Sequence, residues 1–213
     1  MRRILLLIAG IAGSAIVAAI LLQSTAYGLA AEKNSLHLPY TVDQTPLRVL
    51  AFEHFDGTYP EDGSCDPVKN VAAVILENTG STTLQNGAVR LMQGKQILVF
   101  SFTMLPAGER ILVMEKSRKS FSSDPVTSCW GWSLNHTVDR NFQVEEYGRS
   151  GFIVTNLSAN NSNATICFKA YDTVRQMYIG GYTYRLTVQN LKPGIAKVLP
   201  AYRYIRGKYR IVH

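Results

Sequence analysis

The chain has 213 residues, of which 22 are Lys or Arg and 15 are Asp or Glu, so its formal net charge is +7. About 180 residues remain after the N-terminal segment, which suits one sizeable core or two small sandwiches and excludes a long repeat array. No nucleic-acid recognition motif accompanies the modest charge, so we expect no nucleic-acid partner. No cysteine precedes Cys65, which excludes a lipid anchor near the N-terminus.

The N-terminal segment predicts export. Residues 4–22 are uncharged and mostly apolar, and they follow Arg2 and Arg3. As a helix they would span roughly 28 Å, close to the hydrocarbon core of about 30 Å, with the arginines kept in the cytoplasm. Small residues after the segment suit cleavage, whereas its length favours retention. We expect residues 1–31 to be a signal peptide or signal anchor. The protein would then lie on the outer face of the cell membrane as a single-pass protein, or be secreted if cleaved.

The remainder of the chain predicts strands. After a polar linker at residues 32–46, short apolar runs such as 71–76 and 97–102 end at turn residues and are too short for helices. Residues 182–188 alternate in polarity, as in a half-buried antiparallel strand. With no helical period beyond the N-terminal segment, we expect an all-β fold over residues 47–213, an immunoglobulin-like antiparallel β-sandwich.

A repeated turn pattern divides this region. An Asn-containing turn and a later turn with Pro and Gly occur twice, at residues 78–80 and 105–108 and at residues 156–158 and 191–194. Such turns close hairpins and outer strand pairs. The repeat predicts two tandem lobes, residues 47–138 and 139–213, and leaves a single larger sandwich as the alternative.

The three cysteines suggest one disulfide and one free thiol, because the chain is expected outside the cytoplasm. Cys65 and Cys129 lie in or beside turn-like sequence, whereas Cys167 lies inside the strand-like run 165–171. We predict a disulfide between Cys65 and Cys129 and a buried thiol at Cys167. Sequence alone leaves other pairings open.

Two tryptophans are candidate binding residues. Trp130 and Trp132 flank Gly131 and would share one face of a strand. If they are exposed, they are able to stack on a sugar or on a partner side chain. The favoured interpretation is that they fill the core near the disulfide, as a tryptophan does in immunoglobulin domains.

The C-terminal region is a second candidate surface. The last two dozen residues contain six Lys or Arg residues and no acid. Such a surface is able to contact anionic lipid headgroups or wall polymers, although a solvated strand face is the favoured interpretation. The candidate residues are Arg203, Tyr204, Arg206, Lys208 and Arg210.

Part of the second lobe resembles a known domain family. Residues 168–172, 180–184 and 191–194 resemble the FxLYD type of immunoglobulin-like domain of exported bacterial proteins, with Ala170 in place of leucine. Most of residues 47–213 also resembles a group of uncharacterised exported proteins of Gram-positive gut bacteria. These resemblances imply a fold and a compartment, and they bring no known reaction.

No catalytic constellation is present in the sequence. It lacks a Gly-x-Ser-x-Gly elbow, a His-Glu-x-x-His helix, a phosphate loop and a dinucleotide fingerprint. Its four histidines lack metal-ligand spacing, so we expect no metal and no cofactor.

The expected function is therefore not enzymatic. We expect an extracytoplasmic cell-envelope binding protein or structural accessory protein. It would contact the membrane through its N-terminal helix, and an anionic envelope polymer or another envelope protein through its folded part. The alternatives are an envelope-complex subunit that pairs through its transmembrane helix and an exported hydrolase with a site built from loops.

Overall fold

The computed structural model describes residues 36–58, 67–137, 141–148, 151–200 and 208–212, with the backbone alone at residues 200, 208 and 209. These ranges contain strands and no helix, which confirms the predicted all-β class. The strands are β1 (Tyr40–Thr41), β2 (Leu47–Thr58), β3 (Pro67–Asn78), β4 (Leu84–Gln93), β5 (Gln96–Leu105), β6 (Arg110–Met114), β7 (Val126–Asn135), β8 (Phe142–Tyr147), β9 (Gly151–Asn156), β10 (Ser162–Asp172), β11 (Met177–Leu191), β12 (Ala196–Pro200) and β13 (Lys208–Ile211).

The predicted membrane segment, residues 4–22, lies outside the described residues. Within the described ranges, no helix has the length and apolar character needed to cross a bilayer. Part of the predicted linker is structured, because β1 pairs with β2 and Val42 is fully buried in the core formed by β2–β7.

The strand pairings occur twice in the same order. In the first lobe, β1–β7, strand β3 pairs with β2 and β6, and β4 pairs with β5 and β7. In the second lobe, β8–β13, strand β9 pairs with β8 and β12, and β10 pairs with β11 and β13. A short parallel pairing of β6 with β11 joins one sheet of each lobe into a seven-stranded sheet.

Each lobe has its own core, because alternate side chains of its two facing sheets point inward. The first core includes Leu76 of β3 and Phe100 of β5. The second core is smaller and includes Phe152 of β9 and Phe168 of β10, whose ring centroids lie 4.9 Å apart. The larger first core also contacts residues of β10, β11 and the C-terminus, so the lobes share part of their packing.

A buried asparagine ends β3 in the first lobe. The Asn78 Nδ2 donates to the carbonyl oxygens of Thr82 at 2.8 Å and Leu105 at 3.0 Å. Its Oδ1 accepts the Gly80 N–H at 3.0 Å, and its backbone oxygen accepts the Gly108 N–H at 2.8 Å. Asn78 therefore connects the turn after β3 to the turn between β5 and β6 through hydrogen bonds of its side chain and its backbone.

The second lobe repeats this arrangement at the end of β9. The Asn156 Nδ2 donates to the carbonyl oxygens of Asn160 at 2.8 Å and Leu191 at 2.7 Å. Its Oδ1 accepts the Ser158 N–H at 2.9 Å, and its backbone oxygen accepts the Gly194 N–H at 2.8 Å. These are the two turn pairs that the sequence shows as a repeat, and they occupy equivalent places in the two pairing schemes.

A buried lysine organises the contact between the lobes. Lys169 is fully buried, and its Nζ donates to three successive carbonyl oxygens of β11, at residues 180, 181 and 182, over 2.7–3.1 Å. Next to these three carbonyl groups along β11, the Thr103 Oγ1 of β5 lies 2.7 Å from the Thr183 Oγ1 of β11. The lysine thus holds the irregular part of β11 in the shape that contacts the first lobe.

Candidate functional site

The two tryptophans of β7 point away from the first core. Cys129 is buried in that core, and a Cβ placed on Gly131 would lie 3.3 Å from the buried Val42 side chain. Because side chains alternate along a strand, Trp130 and Trp132 project from the opposite side, and Trp132 is 43% exposed. The interpretation that both fill the core is wrong, because Cys129 and Gly131 occupy the inward positions of this strand.

The tryptophans belong to a largely apolar surface on the sheet β5-β4-β7, which we call the outer face. Strand register places Trp130 beside Arg90, and Trp132 beside Ala88. Three aliphatic side chains of this face are also exposed. The outer face consists of Ile97, Val99 and Ser101 of β5, Asn86, Ala88, Arg90 and Met92 of β4, and Ser128, Trp130, Trp132 and Leu134 of β7.

The outer face has a single charge. Arg90 lies near its centre, between Val99 of β5 and Trp130 of β7 in the strand register. None of the residues that we assign to this face is acidic. The face therefore combines exposed aromatic and aliphatic groups with one cation, a composition typical of protein interfaces, which are enriched in Trp, Met and Arg.

The cysteines are only partly as predicted. Cys167 is a buried free thiol, as expected. Cys129 is buried and forms no disulfide with another described residue, whereas Cys65, its predicted partner, lies outside the described residues. Burial, and then the negative charge of Asp43, raise the pKa of Cys129 to about 12, so it is a poor nucleophile. A bond between Cys65 and Cys129 stays a prediction.

The basic candidate surface is described only at its end. Arg203, Tyr204 and Arg206 lie outside the described residues, and Lys208 is described by its backbone alone. Arg210 is described in full.

The Arg210 guanidinium lies 4.6 Å from the ring centroid of Tyr171, and its nitrogens lie 3.4 Å from Glu109 and 4.0 Å from Glu146. Because Glu109 belongs to the first lobe and Arg210 to the second, this charge links the two lobes.

A cleft of about 520 Å³ opens between the lobes. Strand ends of the first lobe and strands β8, β10, β11 and β13 of the second lobe line it. Its lining includes Met104, His136, Phe142, Val144, Arg185 and Ile211.

The described residues contain no group of three or more His, Cys, Asp or Glu side chains arranged to hold a metal ion. The chain matches no model of a known protein family, no curated protein and no solved structure. Its function therefore has to be inferred from the chemistry of its own surfaces.

Sequence reasoning missed Arg90, Met92 and Ile97 as members of a surface. The hairpin around Gly94 gave little signal, because the apolar run 97–102 does not alternate in polarity and so does not reveal which side of the strand is covered. It also missed Arg185 and His136, because these cleft residues come from different lobes.

Proposed function

We propose that this protein is an extracytoplasmic binding or structural accessory protein of the cell envelope, built from two immunoglobulin-like sandwiches and not an enzyme. The observation that carries the proposal is the outer face, where Trp132 and Leu134 are exposed on the same side of the sheet as Arg90. Monomeric proteins rarely expose contiguous apolar surface of this kind unless it contacts another molecule. The N-terminal sequence, Arg2 and Arg3 followed by the apolar residues 4–22, supports the compartment.

The chemistry of the outer face favours another envelope protein as the partner. Met92, Ile97 and Leu134 are exposed aliphatic side chains, which gain most from contact with apolar side chains and little from sugar hydroxyls. The central Arg90 would pair with a carboxylate of the partner, since the residues of the face supply none. An anionic polymer would find one cation here, which is too little charge for strong binding.

Site-specific photo-crosslinking in intact cells tests this proposal. A photo-reactive residue replaces Leu134 in the full chain, and a matched control carries it at Val198 of the second lobe. The two side chains are similarly exposed, at 55% and 54%. We expect a discrete protein adduct from position 134 only, strongly reduced by the added substitution Arg90→Glu.

Equal crosslinking from both positions, or an adduct that Arg90→Glu leaves unchanged, would contradict the proposal. External protease applied to the same cells tests the compartment. The described strands should be cleaved or released when the protease is outside, and the adduct should disappear with them.

A further inference from the structure

The cleft between the lobes has the size and lining of a small-molecule site. Its volume of about 520 Å³ falls within the range of roughly 300–1,000 Å³ that ligand pockets occupy. Met104 of the first lobe and Phe142, Val144 and Ile211 of the second lobe provide apolar wall. A ligand with an apolar body would therefore exclude water mainly from the half-buried Phe142, Val144 and Ile211, because Met104 is already buried.

The polar groups of the cleft favour an anion. Arg185 and His136 line it, together with the amides of Gln85 and Asn163, and none of the described lining residues is a carboxylate. Arg185 faces Cys167 in the strand register and is exposed. Its guanidinium carries five N–H donors, and even a contact with the weakly accepting thiol would leave most of them available to a ligand.

The walls of the cleft are held by backbone pairing. The lobes are joined through the parallel pairing of β6 with β11. The hydroxyls of Thr103, next to Met104, and Thr183 meet between them at 2.7 Å. A site whose walls are already in place loses less conformational freedom on binding.

We propose that this cleft binds a small monocarboxylate with an apolar body, its carboxylate on Arg185 and its apolar part between Met104 and Val144. A planar guanidinium presents two parallel donors that match a carboxylate, and one full positive charge suits a monoanion better than a phosphate dianion. None of the cleft residues belongs to the outer face, and this proposal does not depend on the proposed function. Two sources of this chemistry are a peptide C-terminus and a fatty acid.

Calorimetric titration of the full chain in detergent tests the proposal. The probes are N-acetyl-L-leucine, its neutral amide and octanoate, with the amide matched in size to the first. We expect the acid to bind at least tenfold more tightly than the amide, because only the acid pairs with Arg185. Comparison with octanoate identifies the source, since a peptide-end site prefers the acylated amino acid and a fatty-acid site prefers octanoate.

The charge is tested by Arg185→Gln, with Lys192→Gln as the matched control, since Lys192 is an exposed cation of the same lobe outside the cleft. Arg185→Gln should weaken acid binding at least tenfold, whereas Lys192→Gln should leave it unchanged. Equal weakening by both variants, or an amide that binds as well as the acid, would overturn the proposal.

A measurement on the unmodified chain covers the case in which Arg185→Gln fails to fold. Methyl NMR signals of Met104, Val144 and Ile211 should shift with N-acetyl-L-leucine, while those of Met92 and Ile97 on the outer face should not. Shifts confined to the outer face, or no shifts at all, would refute the cleft site without bearing on the partner of the outer face.

Discussion

The two lobes share their strand pairings and their buried asparagine turns but differ in how much side chain they bury. Strands β2 and β3 have 12 residues each, whereas their counterparts β8 and β9 have 6. The first core is correspondingly larger than the second. What the lobes have in common is the turn device built on Asn78 and Asn156. The comparison indicates that the pairing scheme depends on satisfied backbone groups at the turns and tolerates large changes in core size.

The two tryptophans offer a means to separate the lobes in solution. The chain has 2 tryptophans, and both lie in β7 of the first lobe. Tryptophan fluorescence therefore reports unfolding of the first lobe, while far-UV circular dichroism reports both. A change confined to one lobe therefore alters the two signals differently.

The largest loss of stability should come from replacing the buried asparagines of the two turns. Asn78→Ala or Asn156→Ala removes the donor to a buried carbonyl, of Leu105 or Leu191 respectively, and should lower the free energy of unfolding of its own lobe by about 3 kcal/mol. Because the second core is smaller, Asn156→Ala should unfold that lobe at lower urea while the fluorescence transition moves little.

The matched control is Asn160→Ala, in the same turn, because the Asn160 side chain is exposed and its backbone oxygen is what accepts the bond. It should change the stability by less than about 0.5 kcal/mol. An Asn160→Ala effect as large as that of Asn156→Ala would refute the role given to the buried carboxamide.

A smaller effect should come from Lys169→Met. The methionine keeps most of the side-chain volume but removes the donor that caps three carbonyl oxygens of β11, which should cost about 2 kcal/mol. Since β11 pairs with both β10 and β6, the variant should also separate the circular dichroism and fluorescence transitions. Lys197→Met, at an exposed lysine of β12, is the control. Coincident transitions in Lys169→Met would show that this lysine does not couple the lobes.

The smallest loss of stability should be seen in the first lobe as the pH becomes acidic. The Glu77 carboxylate lies 2.6 Å from Arg48 Nη2 and 3.3 Å from Arg110 Nε. Burial opposes its ionisation, but hydrogen bonds and charges from both arginines outweigh burial and lower the pKa of Glu77 below its usual 4.5. The equivalent position before Asn156 is Thr155, which faces Ala196 and has no charge.

Because the folded-state pKa is the lower one, this stabilisation is present above pH 4.5 and is lost as the pH falls through the folded-state pKa. Between about pH 6 and pH 3 the fluorescence-detected stability should fall by up to about 1 kcal/mol through this group. Glu77→Gln should be less stable than wild type at pH 6, and the difference in stability should shrink as the pH falls toward 3. A constant difference across that range would contradict the assignment. Glu145→Gln, on β8, serves as the control.

Local sequence patterns predicted much of this fold. The alternation at residues 182–188 lies within β11, which pairs antiparallel with β10. The runs 71–76 and 97–102 lie within β3 and β5. Strands and turns follow from residues that are neighbours in the chain, because backbone conformation and side-chain alternation are local properties.

The exposure and the contacts of side chains that face strands distant in sequence could not be predicted in the same way. Which side of β7 faces the core depends on its register with β4, so Trp132 was expected inside and is exposed. Arg210 was expected on a basic surface and instead bridges the lobes through Glu109, which is distant in sequence. A shift of one residue in register would exchange the two faces of a strand, and no pattern within β7 itself excludes such a shift.

The sequence by itself determined the all-β class, the strand-forming runs and the repeated asparagine turns, since each depends on short-range chemistry. The tertiary structure alone decided that Trp132 and Leu134 join Arg90 on one exposed face, and that Arg185 meets Met104 across a cleft. Both surfaces arise where strands far apart in the chain are brought together, and that juxtaposition depends on packing and pairing of the whole chain.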